Sequence, residues 1–112
     1  MALPFSTFIE KDGFIFTSGQ VHLGPDGTLV GETIEEQVAQ VMNNLRAVLD
    51  QAGVGFENVV KSTVYITNMA DYSQVSQVYA TYFKNQYPAR EIIGVKALPL
   101  GASVEISLIA KK

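Results

Sequence analysis

Two periods of hydrophobic and polar positions alternate along this chain, and the switches between them mark its elements. Phe14-Ile15-Phe16-Thr17 is aromatic and β-branched and lies between the turn signal Asp12-Gly13 and Ser18-Gly19, so it reads as a strand. Residues 5–9 are expected to pair with it across the Lys11-Asp12-Gly13 turn. Gly24-Pro25-Asp26-Gly27 is a loop, because proline presets one dihedral and glycine accepts positive φ. The period then lengthens. Thr33-Ile34-Glu35-Glu36 has the form of a capping box, and Ile34, Val38, Val41, Leu45, Val48 and Leu49 recur at helical spacing. A helix is predicted from there to about Ala52, with Gly53 as its left-handed stop. Residues 58–67, with Val59, Val60, Val64 and Ile66, return to β character. A second helix, capped by Asn68 or Asp71, carries the stripe Val75, Val78, Tyr79, Tyr82 and Phe83 and ends before Tyr87-Pro88. Two β-rich runs follow, residues 91–97 and 103–110. The stretch Leu98-Pro99-Leu100-Gly101-Ala102 between them is read as a hairpin connection.

The predicted order is ββαβαββ, an α+β arrangement in which one mixed sheet carries both helices on one face. The other face then depends on a partner. At 112 residues the chain has room for one domain, spanning 1–112, and 47% hydrophobic residues is rich for a small monomer, so an oligomer is expected. Net charge is −3 with no basic stripe, which makes nucleic acid an unexpected partner. The absence of cysteine excludes thiolate nucleophiles, disulfides and sulfur-based metal sites, and one histidine, His22, forms no imidazole cluster. No leader is expected at Met1-Ala2-Leu3-Pro4, and no apolar run reaches the ~20 residues that span a bilayer. The expected compartment is the cytoplasm, with no membrane partner.

Few residues offer chemistry. Arg90 opens a β-rich run after Pro88-Ala89; its guanidinium suits bidentate capture of a carboxylate, and the plainer reading is a solvated surface arginine. Glu105 shares a strand face with Ser103, Ser107 and Ile109. Left uncovered it is a solvent-facing glutamate; beneath an oligomer interface it can orient water or pass a proton. Ser18-Gly19-Gln20 ends a strand where glycine lets a ligand approach the backbone, although an ordinary strand end looks the same. His22 reads as a loop histidine without a role. Tyr79, Tyr82 and Phe83 read as core. The motifs GxGxxG, GxxxxGK[ST], HExxH and GxSxG are all absent. If the last two β runs form a hairpin centred near Leu100, Arg90 faces about residue 110 and Glu105 about residue 95, roughly 16 Å apart along the strands. The two groups then meet only across a subunit interface or through a looser turn.

Four segments in this order, Phe14-Ile15-Phe16-Thr17-Ser18-Gly19-Gln20, Val60-Lys61-Ser62-Thr63-Val64-Tyr65-Ile66, Tyr87-Pro88-Ala89-Arg90 and Leu98-Pro99 to Val104-Glu105-Ile106, together resemble the RidA/YjgF family of reactive-intermediate deaminases, also labelled endoribonuclease L-PSP, over essentially the whole chain. The resemblance implies a chorismate-mutase-like fold and a homotrimer with clefts between subunits. The implied reaction is hydrolysis of 2-imino acids and their enamine tautomers to 2-oxo acids and ammonia, without metal or cofactor. Carried over by position, Arg90 matches the arginine that holds the substrate carboxylate, Glu105 the acid that positions water, and Gly19, beside Ser18, a backbone contact in the cleft. Two positions depart from the family pattern. Phe5, in Leu3-Pro4-Phe5, stands where the archetypal deaminases have a tyrosine, and Ile92 stands where many have a cysteine. The segment before Pro88 is also short. A non-catalytic binder of small carboxylates, an endoribonuclease and a purely structural trimer are the competing readings; the acidic charge and the lone histidine weigh against the ribonuclease.

Overall fold

A computed structural model describes residues 3–112; the reading of Met1 and Ala2 lies outside them. The first two strands, β1 (Phe8–Lys11) and β2 (Phe14–Thr17), form the expected antiparallel hairpin, with Lys11 opposite Phe14. Asp12 and Gly13 make its two-residue turn with φ of 53° and 81°, the paired left-handed conformations that an Asp-Gly turn supplies. Residues 5–7 lie before β1 and are not strand. A two-residue strand that the periodicity did not show, β3 (Gln20–Val21), follows at once.

Helix α1 (Ile34–Gln51) begins at the capping box, with Thr33 Oγ1 accepting from the Glu36 amide at 3.1 Å and Glu36 Oε1 from the Thr33 amide at 3.3 Å. It ends before Gly53, whose φ is +78°. Strand β4 (Val59–Ile66) carries a bulge at its start: Val59 faces Ala110, Lys61 faces Ile109, and Val60 is left over. That extra residue changes the strand's phase, so Val59 is buried and Val60 is exposed. A short 3₁₀ turn (Met69–Asp71), where Asn68 Oδ1 accepts from the Ala70 amide, leads into α2 (Tyr72–Ala80). Tyr82 and Phe83 lie past its end.

The C-terminal third corrects the expected hairpin. Strand β5 (Ala89–Gly94) runs parallel to β4, while β6 (Val104–Lys111) runs antiparallel to β4 on its other side and also borders β2 and β3. The order across the sheet is β1-β2-β6-β4-β5, with β3 against β6. Residues 95–103 therefore cross over β4 instead of reversing the chain tightly. Their 3₁₀ turn at Pro99–Gly101, with Leu100 at φ 63° and Gly101 at φ 76°, makes the change of direction. Parallel strands need a crossover, and α2 provides it between β4 and β5. The centre of the sheet goes to β6, whose alternate residues Val104, Ile106, Leu108 and Ala110 are buried; β5, with exposed Glu91, takes an edge.

Both helices cover one face of the sheet. Val38, Val41, Met42, Leu45 and Leu49 of α1 and Val75 and Tyr79 of α2 pack with Ile15, Val64, Ile66, Ile106 and Leu108 in one cluster. The opposite face keeps Phe14, Phe16, Val60 and Ile93 exposed. No helix among the described residues is long and apolar enough to cross a membrane.

His22 lies in the loop after β3, as read, but it is buried there and takes a structural role that its sequence setting did not show. Its Nδ1 lies 2.9 Å from the Val30 carbonyl, and Nε2 accepts from the Ser103 amide at 3.1 Å. A carbonyl demands a donor and an amide an acceptor, so both bonds require the tautomer with the proton on Nδ1. The ring clamps the loop after β3 to the entrance of β6, and Asn44 of α1 holds that loop from the other side through the Val21 and Leu23 carbonyls. Replacing His22 with Phe keeps a flat ring, slightly larger than imidazole, and leaves both the Ser103 amide and the Val30 carbonyl without their partner. The expected loss is roughly 1–3 kcal/mol, read as a lower urea midpoint at unchanged m-value.

Candidate functional site

Arg90 sits second in β5, and its direction follows from register. Its cross-strand partner is Ser62, which pairs in turn with Leu108, and both of these are buried on the helix face. Arg90 thus rises on the helix side at the sheet's edge, against α2. There Nη1 donates to Ser76 Oγ at 3.0 Å and Nη2 to the Tyr72 hydroxyl at 3.1 Å. The guanidinium carbon lies 5.2 Å from the Tyr79 ring centroid and 5.7 Å from that of Tyr72, within cation–π range.

The platform beneath it is rigid. Tyr79 is buried, and its hydroxyl donates to Ser62 Oγ at 2.8 Å, so two buried hydroxyls satisfy each other. Burial pushes the Tyr79 phenol's pKa up, while the Ser62 hydrogen bond and the Arg90 charge pull the other way. Ile92, two residues along β5, faces the same side and packs against the core cluster. Among the described residues no carboxylate pairs with Arg90, the ion pairs being Lys61–Glu91 and Lys112–Glu10. The guanidinium is therefore held, oriented and left with unspent N–H donors.

Glu105 is placed elsewhere. It is three residues before Leu108 in β6 and pairs with Tyr65 and Val21, which puts it on the face away from the helices. Gly19 lies against it so closely that a Cβ there would be 2.8 Å from Glu105 Cδ. Ser18 is next to this pair and ties down the segment before β1, its Oγ donating to the Ser6 carbonyl at 2.5 Å and its amide to the Thr7 carbonyl at 2.9 Å. Phe5, one residue further back, is 58% exposed, so an apolar ring stands free beside this cluster. Ser18, Gly19 and Glu105 thus lie together, with Phe5 next in the chain to the segment that Ser18 holds, and Arg90 and Ile92 lie apart from them.

Three residues along and two strands across separate Arg90 from Glu105, about 14 Å between Cα atoms, with side chains on opposite faces. The offset along the strands is about 10 Å, shorter than the roughly 16 Å reckoned from a hairpin that does not form, and it is the opposite facing of the two side chains that keeps them apart within one chain. The sequence reading missed Tyr72 and Ser76. Their signal was present as hydroxyl-bearing residues at 72, 76 and 79, an i, i+4, i+7 stripe on α2, but Tyr79 was read as core alone.

A groove of about 780 Å³ at the C-terminal end of α1, lined by Arg46, Phe56, Tyr82 and Lys84 among others, includes none of these residues. There Arg46 stacks on Phe56 and Tyr82 and donates to Asn43. Among the described residues no group of three or more His, Cys, Asp or Glu could hold a metal ion.

With this geometry in view, similarity to known proteins is extensive. The family model described as Endoribonuclease L-PSP matches residues 1–112. A RutC family protein of Aquifex aeolicus is 42% identical over 111 residues, covering 97% of this chain and 89% of the relative. The 2-iminobutanoate/2-iminopropanoate deaminase of Mus musculus is 44% identical over 108 residues, 96% of this chain and 80% of the mouse protein. Among solved structures, the YyfA protein of the conserved Rid family from Yersinia pestis superimposes with a TM-score of 0.95 at 46% identity, covering all of this chain and 90% of that one. The chain belongs to the endoribonuclease L-PSP family, the family of the RutC and Rid proteins and of reactive-intermediate deaminases.

Proposed function

We infer that this protein hydrolyses reactive 2-imino acids, and their enamine tautomers, to 2-oxo acids and ammonia, in a cytoplasmic homotrimer of chorismate-mutase-like fold whose clefts combine residues of two protomers. The observation that carries this reading is the division of the site. One face and edge of the chain hold an arginine with unspent donors, and the other face holds a carboxylate packed on a glycine. The exposed Phe14, Phe16, Val60 and Ile93 of the uncovered face supply apolar surface for association of like copies. Membership of a family that includes the mouse deaminase supports the chemistry.

The reaction asks little of the protein. Arg90 grips the substrate carboxylate through a fork of N–H donors. Glu105, from the neighbouring protomer, accepts a hydrogen bond from a water and takes its proton as the oxygen adds to the protonated imine carbon. That proton passes to the amino nitrogen of the tetrahedral adduct. The C–N bond then breaks, the C=O bond forms, and ammonia leaves with the remaining hydroxyl proton as ammonium. Holding carboxylate, carbon and water in line is the main catalytic contribution. Ser18, Gly19 and Phe5 border the water side, and Ile92 lends apolar character to the arginine side. Phe5 supplies no hydroxyl, which favours one second reading, a binder of small carboxylates without turnover.

The test is competition between the protein and semicarbazide for imines released by an amino-acid oxidase acting on alanine, leucine or methionine. The wild-type protein is expected to lower semicarbazone formation and Arg90→Ala to have no effect. Arg90→Lys should lose roughly 10- to 150-fold in kcat/KM, the equivalent of one charge-assisted hydrogen bond. A protein that binds a 2-oxo acid yet never depletes the imine would select the carboxylate binder instead.

Shared clefts predict complementation. Arg90→Ala and Glu105→Gln, each inactive alone, should recover about one quarter of wild-type activity when co-refolded in equal amounts, since one cleft in four then pairs an intact Arg90 with an intact Glu105. No recovery from subunits shown by mass spectrometry to have mixed would place both groups in one chain's site and refute the division.

A further inference from the structure

The two hydroxyls that receive the Arg90 guanidinium differ in what else they can do. A hydroxyl oxygen that accepts from a guanidinium N–H must turn its own hydrogen away from that positive group, so it becomes a donor aimed outward. Ser76 lies within α2, one turn after Tyr72, on the helix side of the guanidinium. Tyr72 is the first residue of α2 and is 44% exposed, with its hydroxyl 3.1 Å from Nη2 and no acceptor for its hydrogen among the described contacts. Tyr79, the third hydroxyl near this arginine, is spent on Ser62 and buried. Tyr72 is thus the hydroxyl placed to present a hydrogen next to the unspent guanidinium donors.

We propose that Tyr72 is a substrate-binding residue of this site, donating its phenolic hydrogen to the same carboxylate that Arg90 grips. The assignment rests on the functional reading above and deepens it. An arginine has five N–H donors, of which two are used here on Tyr72 and Ser76. A carboxylate has four lone-pair positions, so a guanidinium fork leaves room for a further donor. A phenol already polarised by an accepted charge-assisted hydrogen bond is a stronger donor than a free one. Its ring centroid lies 5.7 Å from the guanidinium carbon, so the aromatic face stays beside the arginine when the hydroxyl is removed. The recognised feature is accordingly a planar carboxylate beside an sp² carbon, present in both the 2-imino acid and the 2-oxo acid, and the contact lies away from the carbon that water attacks.

The test compares wild type, Tyr72→Phe and Arg90→Ala by calorimetric titration with 2-oxobutyrate and by steady-state deamination of the imine of 2-aminobutyrate. Phe keeps the ring and its cation–π contact and removes only the hydroxyl. Tyr72→Phe is expected to weaken 2-oxobutyrate binding about tenfold and to raise KM by a similar factor while kcat stays within about twofold, because the lost bond is equal in ground and transition states. Binding as tight as wild type would overturn the assignment, as would a fall in kcat at unchanged KM, which would mean that Tyr72 acts only by steadying Arg90. In either case Arg90→Ala would still bind poorly, leaving the functional reading intact. Wild-type protein that binds no 2-oxo acid would overturn that reading and this assignment together.

Discussion

Alternation of side chains across the β4–β6 pair is the constraint on which the site depends. Successive residues of a strand point to opposite faces, and the register carries that parity from strand to strand. Ser62 and Leu108 bring Arg90 onto the helix face, and Tyr65 brings Glu105 onto the other. A one-residue slip between β4 and β6 would put both groups on one face and would expose Ile106 and Leu108 to water. The core therefore enforces the division. Burial of several large aliphatic side chains, at about 1.5–3 kcal/mol each, far outweighs any local preference of a single charged residue.

The same core builds the setting of the arginine. Helix α2 crosses from β4 to the parallel β5, so it must lie over the strand from which Arg90 rises. Val75 and Tyr79 anchor that helix in the core. Tyr72 and Ser76 occupy neighbouring positions on the same turns and face the guanidinium. A buried hydroxyl pair, Tyr79 with Ser62, ties the helix to the strand directly beside the arginine. Stability and the placement of the guanidinium thus share residues, since the contacts that pack α2 on the sheet also fix where the guanidinium points.

The carboxylate end is built differently, from chain ends and short connections. Ser18 holds residues 6 and 7 by two hydrogen bonds, Gly19 makes room for Glu105, and His22 clasps the following loop to Ser103, two residues before Glu105. These contacts are few and mostly polar, and the surrounding face is not covered by either helix. Phe5 adds exposed apolar surface beside them. On the proposed reading a second copy meeting the open sheet face completes this end, whereas the arginine end is built within one chain.

Much of this was legible in the residues themselves. The first hairpin, the capping box of α1, the stripe of α2 and the strand character of β4 and β6 follow from local chemistry: turn dihedrals, caps and periodicity of two or 3.6. Arg90, Gly19 and Glu105 could be singled out because few other residues carry usable groups. Strand pairing could not be read in the same way. The runs that became β5 and β6 are adjacent in sequence and separated by turn residues, which is also the pattern of a hairpin, and only the competition for the buried centre of the sheet placed them on opposite sides of β4. The burial of His22 and the hydroxyls around Arg90 likewise depend on partners far away in the chain, Ser103 for one and β5 against α2 for the other. The sequence by itself determined the elements and the chemically able residues, because these depend on neighbours within a few positions. Tertiary structure alone decided which of those residues share a face, because that is set by packing the whole core at once.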